Sequence, residues 1–238
     1  MSVVDEALDI SSALGNGVYA IGQDIVFGFQ RTGQGYGLGE DGRIGEIGYE
    51  NRAMVGLLQK VAEYGIKDPN SPLHQVIYYV LENYYSHLPE SVLHEVAREA
   101  RVGVAYAAGR LVIGKKLAKA VAVRIAVAIA ATAVYKSIAV RIGVAAGTSA
   151  TGVGVPIGLL IGQGIMQRSS RASRRLRKKS PELYRKLRRK GDLQLLYFIV
   201  ERPLEKYVEA IALAERSPKE FREKVDSIHS SVMQERAQ

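Results

Sequence analysis

The chain has 238 residues, no Cys, no Trp and a net charge of +9. It is long enough for one well-cored domain, and it has no thiols for a disulfide framework or a thiolate metal site. The charge is segregated: residues 1–100 hold 6 Lys/Arg against 14 Asp/Glu, residues 101–190 hold 20 against 1, and residues 191–238 hold 7 against 9.

A basic middle of this kind suits phosphate-bearing partners, either nucleic acid or anionic lipid. The first residues, MSVVDEALDISSALG, place acids where a secretory signal needs Lys or Arg, and they lack an apolar core. The expectation is a protein made in the cytoplasm without a signal peptide.

Residues 1–26 read as one or two short helices, with Asp5, Glu6 and Asp9 suited to a helix N-terminus. Residues 28–48 form a Gly-rich loop within an acidic N-terminal helical region, 1–100. The glycine spacing there matches no phosphate-cradling pattern. Residues 50–65 have helical periodicity, with Met54, Leu57, Leu58 and Val61 on one face. Ser71 before Pro72 predicts a helix start. That helix carries Val76, Val80 and Leu81 together with Tyr78, Tyr79, Tyr84 and Tyr85. Their rings fit either an interfacial face or a core helix with wet edges. Pro89 ends it. Ser91 opens a further helix, which the sequence runs into the apolar stretch without a strong stop.

The apolar stretch, residues 101–167, contains no acid, and Ile142 to Gln167 contains no charge of either sign. Two small-residue registers recur at every fourth position: Ala118, Ala122, Ala126 and Ala130, then Ala146, Ala150, Gly154, Gly158 and Gly162. Such stripes let helix backbones approach closely and form packing seams in lipid. Pro156 is expected to kink the second segment. Read as a hairpin with its tip at residues 147–152, the stretch has arms at about 121–146 and 153–167. The second arm is then short, roughly 22 Å at 1.5 Å per residue.

Basic residues flank this hairpin. Lys115, Lys116 and Lys119 precede it, and Arg168, Arg171, Arg174, Arg175, Arg177, Lys178 and Lys179 follow it. These are the candidate contacts to lipid headgroups, at roughly 1 kcal/mol each near an anionic surface. Arg124 and Lys136 lie inside the first arm and are the candidates for lining a conduit. Residues 168–238 read as a basic linker and helix followed by amphipathic helices. Gly191 closes the basic helix, Pro203 breaks the next, and Ser217-Pro218 opens the last. The three regions are expected to form one compact unit.

The four His residues show no metal-ligand spacing, and no nucleophile elbow, kinase signature or paired catalytic carboxylate stands out. The chain is therefore expected to be neither an enzyme nor a cofactor or metal binder.

Residues 121–134 (VAVRIAVAIAATAV) and 152–166 (GVGVPIGLLIGQGIM), set between basic flanks in an otherwise polar chain, resemble the hydrophobic hairpin of colicin-type pore-forming domains. They are similar also to small pore-forming effectors that bacteria inject into competitors through contact-dependent secretion systems. The likeness covers about a third of the chain. Arg124, Lys136 and Arg141 depart from the nearly charge-free arms of colicins. The resemblance implies an all-α fold, a soluble helical bundle around a central Ala/Gly-rich hydrophobic hairpin. It further implies an antibacterial toxin that inserts this hairpin into a target cell's inner membrane and dissipates the membrane potential. The expected partners are an anionic bilayer, a cognate immunity protein in the producer and a secretion-system carrier or chaperone, with nucleic acid not expected. The rival readings are a helical structural or adaptor protein and a nucleic-acid-binding module using residues 168–190.

Overall fold

A computed structural model of the chain describes residues 44–105, 108–132 and 155–237. Across these residues the protein is all-α, with no strand. The helices are α1 (Ile44–Tyr64), α2 (Pro72–His87), α3 (Glu90–Glu99), α4 (Arg110–Ala131), α5 (Val155–Lys179) and α6 (Pro181–Arg189). A 3-10 turn (Leu193–Leu196) then leads into α7 (Tyr197–Val200), α8 (Glu205–Arg216) and α9 (Pro218–Ala237).

The hub is α2, against which α1, α4, α6, the 3-10 turn, α7 and α8 all pack. Pro72 holds its first turn, as the Ser71-Pro72 pair predicts, although the Ser71 side chain makes no capping bond. Leu73, Val76, Ile77, Val80, Leu81 and Tyr85 are buried. They join one hydrophobic core that runs from Met54 of α1 to Phe221 of α9. The tyrosines are used inside the fold. Tyr85 is buried, Tyr84 stacks edge-on to Tyr207 of α8 at 5.2 Å, and Lys186 of α6 and Lys190, which caps α6, sit over the Tyr79 ring.

Several local expectations change. α1 begins at Ile44, so residues 44–48 of the Gly-rich segment are helical, not loop. The apolar spacing Ile47, Met54, Val61 carries the helix period upstream through Gly45 and Gly48. Residues 28–43 lie outside the described residues, as do residues 1–26.

The helix after Pro89 does stop before the apolar stretch. Arg101 takes a left-handed φ of 54°. The Val102 N–H donates to the Ala97 carbonyl at 2.8 Å, and the Arg101 N–H to the Arg98 carbonyl at 3.1 Å. This paired-bond stop normally carries Gly, so Arg101 hides it from a sequence reading. α6 ends as expected, with Gly191 at φ 97°. The break around Pro203 and the start of α9 at Pro218 also match.

The first arm differs from the expected 121–146. Its helix, α4, starts at Arg110 and closes at Ala131. Thr132 turns extended there, and its N–H and Oγ1 both donate to the Ile129 carbonyl, at 3.0 and 2.7 Å. The tip and the positions Lys136, Arg141, Ala146, Ala150 and Gly154 lie outside the described residues. On the other side, α5 runs unbroken from Val155 to Lys179, so the boundary expected at 167/168 falls inside one helix. Pro156 stands in its first turn, where the missing N–H costs nothing, and so it starts this helix instead of kinking it.

Candidate functional site

The elements that carry the expected chemistry are α4 and α5. α4 has two inward stripes side by side. Ile113, Leu117, Val121, Ile125 and Ile129 form the bulky one; Gly114, Ala118, Ala122 and Ala126 form the small one, and all are buried. Ala130 is half-buried. The small stripe does what small residues do, letting a neighbouring backbone come close. A Cβ placed on Gly114 would lie 3.4 Å from the Tyr85 Cβ of α2. Ala118, Ala122 and Ala126 of the first register read from the sequence thus lie in the packed interior of the bundle.

The outward side of α4 is mixed. Leu111, Val112, Val123 and Val127 are large apolar residues 43–65% exposed, and Lys115, Lys116, Lys119 and Arg124 share that side. Soluble surfaces carry single apolar residues routinely, but four on one helix interleaved with four cations form a basic amphipathic surface. Two of the cations are anchored: Lys116 donates to the Gly103 carbonyl at 3.3 Å, and Arg124 to the Ala100 carbonyl at 2.9 Å. Ala100 is the C-cap of α3, so Arg124 satisfies and compensates a helix C-terminus. Lys115 and Lys119 have no ion-pair partner among the described residues.

No helix among the described residues is long and apolar enough to cross a membrane. The physical reason is plain in α4, whose 22 residues include Arg110 and these four cations.

The basic run on α5 is woven into the fold. Its inward face is small and polar: Gln167, Ser169, Ser170 and Ser173 are buried with Ala172 and Leu176. Ser169 Oγ donates to the Leu195 carbonyl at 2.6 Å. Ser170 Oγ donates to the Glu50 carboxylate at 3.3 Å and accepts from Arg174 at 2.5 Å. Arg168 and Arg171 are half-buried. Arg175 makes a two-point contact with Glu201, at 2.8 and 2.5 Å. Lys179 reaches Glu209 at 2.9 Å and Glu205 at 3.8 Å. Arg177 lies 5.8 Å over the Tyr184 ring. Lys178 is exposed, without an ion-pair partner among the described residues. The backbone of α5 places Pro156, Gly158 and Gly162 in its first two turns.

No family model, curated protein or solved structure matches this chain. Among the described residues no group of His, Asp and Glu is arranged to hold a metal ion.

One contact escapes a sequence reading. His229 of α9 meets Glu95 of α3 at 2.5 Å, across 134 positions. The Glu95 side chain is only 11% exposed.

Proposed function

We propose that this chain acts at anionic membranes as a pore-forming antibacterial effector that dissipates the membrane potential of a target cell. The observation that carries the reading is α4, with an apolar inner side and an outer side that combines Lys and Arg with exposed Leu and Val. Such a helix suits the plane of a bilayer interface. When it peels from α2, the stripe from Ile113 to Ile129 meets acyl chains, and Lys115, Lys116, Lys119 and Arg124 stay among headgroups. Residues 142–167, uncharged throughout, then supply a segment of the length that a bilayer core requires, about 20 residues. Arg124 and Lys136, the candidates for lining the conduit, would then sit at its headgroup-level mouths. A cognate immunity protein and a secretion carrier follow from the resemblance to injected effectors.

The test is conductance across planar bilayers, with dye release from vesicles of graded anionic content. Leakage should rise with anionic lipid and fall with added salt, which screens surface attraction. Lys115→Gln, Lys116→Gln and Lys119→Gln together should remove most vesicle binding, at roughly 1 kcal/mol per charge. Absence of conductance, combined with tight and steeply salt-dependent binding to nucleic acid, would sink the reading.

A further inference from the structure

The corner where α2, α4 and α6 meet holds a half-open pocket of about 140 Å³, lined by Glu82, Ser86, Arg110, Gly114, Lys115 and Lys186 among others. That is several times the room a single water needs. The charges around it do not cancel. Lys186 is held by the Glu82 carboxylate at 2.8 Å, and Glu82 also accepts from the Tyr78 hydroxyl at 3.2 Å. Arg110 and Lys115 pair with no carboxylate among the described residues. Two positive charges are left uncompensated at one pocket. Ser86 has already given its proton to the Asn83 carbonyl, at 2.6 Å, so the donors on offer are the cations. No acid occupies the first turn of α4 to offset them. His87 beside it senses charges of both signs: burial, the largest cause, holds its imidazole below the ordinary value, Glu215 and Glu182 oppose that, and Arg110 and Lys186 lower it by less.

We propose that this corner is a binding site for a phosphate group. Arg110 offers a planar fork that matches two phosphate oxygens, and Lys115 adds a compact charge. The Glu82 carboxylate stays neutralised by Lys186, and it narrows the site to ligands small enough to leave that pair intact. The ligand chemistry is a tetrahedral oxyanion, from a lipid headgroup or from a free phosphate compound. The site goes beyond the membrane reading, because it is a discrete seat and does not require conductance.

The experiment is thermal protection of the whole chain by inorganic phosphate, against chloride at equal ionic strength, with vesicle binding measured alongside. Phosphate should raise the melting temperature of the parent beyond chloride. Arg110→Gln and Lys115→Gln, both at exposed positions, should each weaken phosphate binding about tenfold. Lys206→Gln on α8, the same change in charge outside the pocket, should not. If Arg110→Gln also loses binding to phosphatidylglycerol vesicles more than Lys206→Gln does, the headgroup is the source. If phosphate protects and the vesicle binding of the two variants is alike, a free phosphate compound is the source. Both results support the site. No protection beyond chloride, or equal loss in Arg110→Gln and Lys206→Gln, overturns it.

Discussion

At the scale of single residues, backbone and proton positions carry consequences that can be measured. Arg101 holds a left-handed conformation that costs an L-residue roughly 1–2 kcal/mol. Its side chain is exposed, so Arg101→Gly should stabilise the protein by about 1 kcal/mol in urea unfolding; a loss of stability would mean that the guanidinium matters more than the backbone. His74 and His87 act in the opposite sense. Burial lowers both imidazoles, outweighing the Ile66 carbonyl and Asp68 at His74 and Glu215 and Glu182 at His87. Each stays neutral in the fold where the unfolded chain already takes up a proton. The stability this provides is complete above the unfolded value of about 6.5 and is lost as pH falls through the lower folded values. The unfolding free energy from urea titrations should fall between pH 7 and 5.5, by no more than about 1.4 kcal/mol per pH unit for each group. His74→Gln with His87→Gln should flatten that dependence. An unchanged slope in the double variant would assign the acid sensitivity to carboxylates.

At the scale of elements, the small stripe of α4 gives the sharpest expectation. Ala122 is fully buried, so Ala122→Leu should destabilise by about 1–3 kcal/mol through overpacking. Ala130→Leu, at a half-buried position, should cost less. Equal effects would mean that the seam does not follow the fourfold register. That register was legible from sequence because a helix repeats the same face every three to four residues. The same logic found α1, α2, α6 and α9, with Pro72, Pro181 and Pro218 in the first turns of the last three and Gly65 and Gly191 just past the ends of α1 and α6. What the sequence hid follows from exceptions to those habits: Arg101 stands where Gly usually does, and Thr132 ends a helix inside an apolar run with no Gly or Pro to mark a stop. The buried face of α5 was masked in another way. Its serines read as part of a basic run, yet they are the residues small enough to let Leu195 and Glu50 approach. Nothing in local spacing could pair His229 with Glu95.

At the scale of the whole molecule, the segregated charge is answered in part within the bundle. Arg175 and Lys179 of α5 meet Glu201, Glu205 and Glu209, and Ser180 donates to Glu215 at 2.5 Å. Ion pairs this exposed are worth about 0–1 kcal/mol each, close to the roughly 1 kcal/mol that a cation gains at an anionic membrane. Exchange of the Glu partners for headgroups is therefore nearly neutral, and the balance is tipped by what α4 and the apolar stretch gain in lipid. The account stands or falls on α4 leaving α2. The chain has no Cys, and a Cβ at Gly114 would lie 3.4 Å from the Cβ of Tyr85, close to the roughly 3.5–4.5 Å of a disulfide. Tyr85→Cys with Gly114→Cys therefore allows the two helices to be locked and unlocked in one sample. The decisive measurement is dye release from anionic vesicles by this variant, oxidised and then reduced. The oxidised protein should bind vesicles without releasing dye, and reduction should restore release. Equal release before and after reduction would contradict the account.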